Sequence, residues 1–97
     1  MKSDLKWDAQ KEQSNLKKHG ISLTAAVTAL EDEYAITIED DQPGERRFIT
    51  IGMDENGRIL LVVYTYRGVI IRIISARKAT SSERDAYAGE NKWTTMA

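Results

Sequence analysis

The sequence predicts an α+β domain in which two helices precede a four-stranded antiparallel sheet and a third helix follows it, in the order α-α-β-β-β-β-α. Three observations indicate this class. Two apolar, β-branched runs, 59–63 and 69–74, flank a short segment ending at Gly68, a pattern typical of a hairpin of buried strands. Apolar residues recur at helical spacing over 23–30. A capping-box pattern at 80–83 starts the last helix, and the short turns between strands predict an antiparallel meander.

The first half predicts two helices separated by a tight stop. Asp8 is placed to cap a helix over 9–19, because its carboxylate can accept hydrogen bonds from exposed backbone N–H groups. Gly20 ends that helix, since glycine enters the left-handed conformation without penalty. Ser22 caps the second helix, which should end near 31–33. The first helix has only a narrow apolar stripe, and its packing side is predicted to contain Ala9, Glu12 and Leu16, with Gln13 as a further candidate.

Alternating apolar residues predict the two strands that precede the central hairpin. The first covers 34–38 and the second 46–53. Between them, 39–45 is a polar turn that contains the only proline. Asn56-Gly57 supplies the positive backbone angles of the next hairpin loop.

The third helix is predicted to start at 80–83 and to continue through Tyr87. Gly89 is its expected stop. The sequence therefore predicts a single domain over 1–88 and a flexible C-terminal tail over 89–97.

Composition excludes several classes of protein. The 97 residues contain no cysteine and a single histidine, so we expect no disulfide scaffold, no metal cluster and no cofactor. No apolar run approaches the roughly 18 residues that span a bilayer, and the N-terminus has no signal-peptide core. We therefore expect a cytoplasmic protein with no membrane partner.

The net charge of −1 hides an uneven distribution. Residues 1–45 carry five lysines and ten acids, whereas residues 46–97 carry nine basic and five acidic residues. The second half can therefore present a basic face to a polyanion. The alternative is that these charges are ordinary solvated residues of the strands.

Arg72 and Arg77 are the candidate phosphate ligands. Arg72 interrupts an apolar strand, and an arginine fork matches two phosphate oxygens while staying charged. The alternative for Arg72 is an ion pair with Glu83 that braces the third helix. Strand alternation places Arg72 and Arg77 on opposite faces unless a bulge intervenes.

His19 is the only side chain whose ordinary pKa lies near neutrality. It is a candidate general acid or base, and the alternative is a residue that ends the first helix. Tyr64, Tyr66 and Tyr87 are candidates for stacking on bases, or else core residues.

Two motifs resemble the BrnT family of bacterial type II toxins. They are Lys18-His19-Gly20 and Arg72-Ile-Ile-Ser-Ala-Arg77-Lys78-Ala79, and the matching residues extend over 7–87. The chain departs from the family pattern at Leu5, where the family has an aromatic residue. The resemblance implies a RelE-like fold and a ribonuclease that halts translation. It also implies a BrnA-like ribbon-helix-helix antitoxin, a 2:2 complex, and contact with promoter DNA through that antitoxin.

Together these lines predict a metal-independent endoribonuclease whose substrate is RNA. The predicted catalytic residues are Arg72, Arg77, Lys78 and His19. The predicted RNA contacts are Arg46, Arg67, Tyr87 and Lys18. The alternatives are a non-catalytic module that only binds an antitoxin, and a toxin that poisons a protein such as a topoisomerase.

Overall fold

The computed structural model describes residues 5–6 and 9–96, with side chains described over 12–40 and 43–89. No helix in this part of the chain is long and apolar enough to cross a membrane. The elements are β1 (Leu5–Lys6), α1 (Ala9–His19), α2 (Leu23–Leu30), β2 (Ile36–Gln42), β3 (Glu45–Met53), β4 (Ile59–Arg67), β5 (Ile70–Lys78) and α3 (Ser81–Met96).

The four long strands form the predicted antiparallel meander, so the predicted fold class and element order are confirmed. The strand order across the sheet is β1-β5-β4-β3-β2. The additional strand β1 runs parallel to β5, with Leu5 opposite Ile71 and Lys6 opposite Arg72. A strand of two residues is too short to produce an alternating pattern, which is why the sequence does not predict it.

Strand β2 is longer than predicted at its C-terminal end. The acidic segment expected to be a turn continues the strand to Gln42, and the turn is confined to Pro43 and Gly44. Asp40 lies opposite Arg47 in the ladder. Opposite charges across a strand pair stabilise the pairing, so the acidic residues extend the sheet.

One side of the sheet, called here the helix-covered face, packs against α1 and α2. Leu60, Val62 and Ile73 are fully buried there against the apolar side of α2. Gly52 lets α2 approach β3 closely, because a Cβ atom at this position would lie 2.3 Å from the carbonyl oxygen of Ala29. The predicted Ser22 cap is confirmed, with its hydroxyl accepting from the Ala25 N–H at 3.0 Å.

Helix α1 is held by a buried amide rather than by the predicted Leu16. Leu16 is 46% exposed, whereas Asn15 is 6% exposed. The Asn15 amide donates to the carbonyl oxygens of Ile21 at 2.8 Å and Ala76 at 3.0 Å. Its oxygen accepts from the Ala76 N–H at 3.1 Å. The side chain therefore pairs with β5 much as a neighbouring strand would.

Helix α3 extends beyond its predicted end. It continues past Gly89 to Met96, because a glycine inside a helix costs only about 1 kcal/mol and does not by itself stop it. The predicted stop at Gly89 is therefore wrong, and the flexibility of residues 89–97 stays a prediction. The predicted N-cap at Asp8 lies outside the described residues.

Replacing Asn15 tests the attachment of α1. We expect Asn15→Ala to lower the free energy of unfolding by about 2–4 kcal/mol, because it leaves both polar groups of Ala76 buried without partners. Urea denaturation measures this loss. Ser14→Ala, an exposed change on the same helix, should stay within about 0.5 kcal/mol of wild type. Equal stability of the Asn15→Ala variant would contradict the assignment.

Candidate functional site

The sheet surface opposite α1 and α2, called here the open face, carries the candidate phosphate ligands. A bulge in β5 puts both of them on this face. Ile74 has no partner across the ladder, so alternation restarts between Arg72 and Arg77. Both arginines therefore lie on the same face, whereas alternation without a bulge would place them on opposite faces. The register pairs are Arg72 with Thr65, Ile73 with Tyr64, Ser75 with Val63, and Arg77 with Leu61.

Arg77 forms a two-pronged ion pair with Glu83 at the start of α3. Its two terminal nitrogens donate to the two carboxylate oxygens at 2.9 and 3.0 Å. Arg77 also donates to the carbonyl oxygen of Lys78 at 3.1 Å. These hydrogen bonds to Glu83 raise the pKa of the Arg77 guanidinium. Arg77 is thus fixed in orientation while its side chain remains 38% exposed.

Glu83 is held from two sides. It accepts from the Thr80 N–H at 2.8 Å, while its own N–H donates to the Thr80 hydroxyl at 3.2 Å. This confirms the predicted capping box. The hydrogen bonds from Arg77, with those from Thr80, lower the pKa of Glu83. Glu83 therefore stays ionised at neutral pH.

Arg72 is exposed on the open face. No ion pair joins it to a described side chain, so the alternative in which Arg72 pairs with Glu83 is wrong. The reason is the position of the acid: Glu83 lies beside the C-terminal end of β5, where Arg77 lies, and not beside its middle. Arg72 is thus exposed on the same face on which Glu83 fixes the orientation of Arg77, four ladder positions further along β4.

The structure does not bring His19 and Lys18 into this group. They end α1, which Asn15 fastens to the outer edge of β5 at Ala76, and no hydrogen bond or ion pair between described residues joins them to Arg72 or Arg77. Lys78 is exposed and pairs with Leu60, whose side chain belongs to the helix-covered face. The described open face therefore holds arginines but no group whose ordinary pKa lies near neutrality.

Tyr87 takes a structural position. It is 8% exposed, and its hydroxyl donates to the Asp32 carboxylate. Asp32 also accepts from the backbone N–H groups of Met53 and Tyr34. Burial opposes ionisation of Asp32, but the hydrogen bonds outweigh it and lower the pKa of this carboxyl. A buried ring cannot stack on a base, so the position of Tyr87 does not support its predicted RNA contact. The sequence alone gave no signal of the Tyr87–Asp32 contact.

Arg46 and Arg67 lie at the other end of the sheet from α3. Arg67 pairs with Ile70 and belongs to the open face, two residues beyond Thr65 and diagonal to Arg72. Both arginines line an open groove of about 590 Å³. The structure thus brings Arg67 beside Arg72 on the open face. Arg46 is placed at the rim of the groove.

Comparison with known proteins identifies the class. The fold is that of a ribonuclease toxin: a crystal structure of the Brucella abortus ribonuclease toxin BrnT, at 1.1 Å, matches with 25% sequence identity and a TM-score of 0.62. The match covers 84% of this chain and 99% of the Brucella chain. A comparison with curated proteins gave no match.

The family follows from the sequence match. The model for the family described as "Ribonuclease toxin, BrnT, of type II toxin-antitoxin system" matches residues 7–83. The chain belongs to this family. It is thus a toxin of a type II toxin–antitoxin system, and the predicted family assignment is confirmed.

The ion pair between Arg77 and Glu83 can be tested through the pKa of the acid. We expect Arg77→Ala to raise the pKa of Glu83 toward its ordinary value, because the largest cause of its lowering is removed. Titration of the Glu83 carboxyl by NMR measures this change. Arg72→Ala removes the same charge from the same strand and should leave the pKa of Glu83 unchanged.

The same pair has a consequence for acid stability. A lowered folded-state pKa means that Glu83 contributes stability above its unfolded pKa, and that this contribution is lost as pH falls through the folded pKa. Arg77→Ala should therefore flatten the acid limb of the stability curve. An unchanged pKa of Glu83 in Arg77→Ala would refute the pairing.

Proposed function

We propose that the chain is a metal-independent endoribonuclease that cleaves RNA on the open face and arrests translation in the cytoplasm. Membership of the ribonuclease toxin family supports the reaction class. The observation that carries the proposal is the bulge at Ile74, which puts Arg72 and Arg77 on one exposed surface. The proposed partner is a BrnA-like ribbon-helix-helix antitoxin, in a 2:2 complex that contacts promoter DNA through the antitoxin.

The chemistry suits arginine. When the 2′-hydroxyl of a ribose attacks the neighbouring phosphate, negative charge builds up on the non-bridging oxygens of a pentavalent phosphorane. A guanidinium fork can donate to two of these oxygens and remains charged throughout. Donors held in place before the reaction stabilise such charge most, because they need no reorganisation.

The two arginines divide this task. Arg77 is oriented by Glu83 and is therefore the pre-organised donor. Arg72 is exposed and can follow the phosphate as it binds. Arg67 lies diagonal to Arg72, a spacing of about 7–8 Å between neighbouring strands, and would hold an adjacent phosphate. His19 and Lys78 lie outside this group, so the proposal gives phosphate binding to the arginines.

Removing either central arginine tests the proposal. We expect Arg72→Ala and Arg77→Ala each to lower RNA cleavage by about 10²–10³-fold, the usual cost of losing one transition-state donor. Cleavage of single-stranded RNA by purified protein measures the loss. Lys17→Ala removes an exposed charge on α1 and should cleave normally. Normal cleavage by both arginine variants would refute the site.

Two further measurements make this result interpretable. Circular dichroism should report a folded protein in each variant, and the antitoxin should still bind. If Arg77→Ala loses its fold through the loss of the Glu83 contact, Arg72→Ala still tests the site, because no ion pair joins Arg72 to a described side chain. Loss of translation with intact RNA would select a protein target instead.

The metal-free route predicts particular products. Attack by the 2′-hydroxyl leaves a 2′,3′-cyclic phosphate on one fragment and a free 5′-hydroxyl on the other. We therefore expect cleavage to continue unchanged in excess EDTA, and mass spectrometry to detect these ends. If EDTA abolished cleavage and added divalent metal restored it, the metal-free mechanism would be contradicted. That result would not test the arginine site, which the Arg72→Ala and Arg77→Ala variants test.

A further inference from the structure

The groove at the end of the sheet away from α3 is a second candidate binding site. It opens where β3 begins and β4 ends, and its volume is about 590 Å³. Sites for small ligands typically span about 300–1,000 Å³. The groove is open to solvent rather than enclosed, so a chain can pass along it. Its lining residues are Gly44, Glu45, Arg46, Phe48, Thr65, Tyr66 and Arg67.

Three aromatic rings lie at this end of the sheet, and two of them line the groove. The Phe48 and Tyr66 rings meet edge to face, with centroids 5.4 Å apart and planes at 82°. Tyr64 lies beneath them, 5.7 Å from Phe48 and 6.0 Å from Tyr66. Tyr64 is buried and its hydroxyl is within hydrogen-bonding distance of the Thr50 hydroxyl. It supports the other two rings rather than contacting a ligand.

Tyr66 is the ring offered to solvent. It is 47% exposed, although it belongs to a central strand. Helices α1 and α2 do not cover this end of the sheet, because the core cluster along β4 stops at Tyr64. A large aromatic ring that is left half exposed beside a groove provides a flat apolar surface for a planar ligand.

The charges around the rings favour an anionic ligand. Arg46 and Arg67 line the groove, and Arg67 has no ion pair with a described side chain. Glu45 is the acid in the lining, and its carboxylate accepts from Arg47 at 3.4 Å. The combination of exposed aromatic rings and flanking arginines is the one that binds single-stranded nucleic acid.

Arg67, the last residue of β4, connects the groove with the open face, whereas the Tyr66 and Phe48 rings belong to the opposite face of the sheet. Arg67 lines the groove and is also the diagonal neighbour of Arg72. A strand that contacts Arg72 and Arg67 with successive phosphates and then bends around the end of β4 would therefore bring its next base to Tyr66.

We propose that the groove binds one unpaired base of the RNA, stacked on Tyr66 and Phe48, while Arg67 holds the phosphate that joins this base to the cleavage site. The inference rests on the proposed function and adds a base-binding position outside the reacting phosphate. Stacking accepts every base, so the site would select single-stranded over double-stranded RNA rather than one sequence.

The test measures binding of a single-stranded 2′-O-methyl oligonucleotide, which lacks the attacking hydroxyl and cannot be cleaved. We expect Tyr66→Ala to weaken its affinity by about 5- to 100-fold, as loss of one stacked base does. Tyr66→Phe keeps the ring and should bind within about twofold of wild type. Tyr34→Ala removes another tyrosine of similar exposure, 50%, and should bind normally.

The salt dependence of binding distinguishes the contribution of the stacked base from that of the phosphate contact. Arg67→Ala should reduce the slope of log K against log salt by about 0.7, because one phosphate contact on a single strand is lost. Tyr66→Ala should weaken binding without changing that slope. A second measurement uses oligonucleotides that each lack the base at one position. With wild-type protein, removal of the base at one particular position should weaken binding as much as Tyr66→Ala does. In the Tyr66→Ala protein, removal of the same base should weaken binding no further.

Several results would overturn the inference. Wild-type affinity in Tyr66→Ala, or the absence of any sensitive abasic position, would exclude a stacked base. Loss of antitoxin binding with normal RNA binding in Tyr66→Ala would assign the groove to the protein partner. Failure of the proposed function looks different: Arg72→Ala and Arg77→Ala would then cleave RNA like wild type, whatever Tyr66 does.

Discussion

The amide of Asn15 is the contact on which the arrangement of this protein depends. Strand β1 pairs with β5 at Ile71 and Arg72, and no strand among the described residues pairs with the outer edge of β5 beyond them. Asn15 supplies one, because its amide both donates to and accepts from the backbone of Ala76. A buried edge without such a partner would leave a donor and an acceptor unsatisfied.

The same amide fixes which face of the sheet stays open. By also donating to the carbonyl oxygen of Ile21, Asn15 holds the turn between α1 and α2. Gly20 makes that turn with a φ of 70°, in the left-handed region that glycine enters freely. Both helices are thereby held away from the open face, where Arg67 and Arg72 are exposed and Arg77 is paired with Glu83 at the start of α3.

The sequence predicts the elements well because their signals are local. The Ser22 cap, the Gly20 stop and the Thr80–Glu83 box each use residues within a few positions of one another, and all three are found. The site was harder to predict because its geometry depends on register. β5 has apolar residues on both sides of its alternation, as at Ile73 and Ile74, so no pattern reveals where one residue is skipped. The register also decides that Glu83 pairs with Arg77 rather than with Arg72. The spacing of these residues in the sequence does not predict that choice.

The open face also limits the kind of catalysis available to it. The single histidine lies at the end of α1, outside the described contacts of Arg72 and Arg77, and the cationic groups of the open face are arginines, which do not act as general acids near neutral pH. Glu83 is a weak base, because Arg77 holds its pKa below the ordinary value. A site of this composition accelerates cleavage mainly by stabilising charge on the phosphorane and by aligning the attacking 2′-hydroxyl with the leaving 5′-oxygen. The cleavage rate should therefore depend more on the orientation of Arg77 than on any titrating side chain. The Glu83 pair then has a catalytic consequence. The carboxylate partly offsets the field of the Arg77 charge at the phosphate, but it fixes the direction in which the remaining N–H groups point.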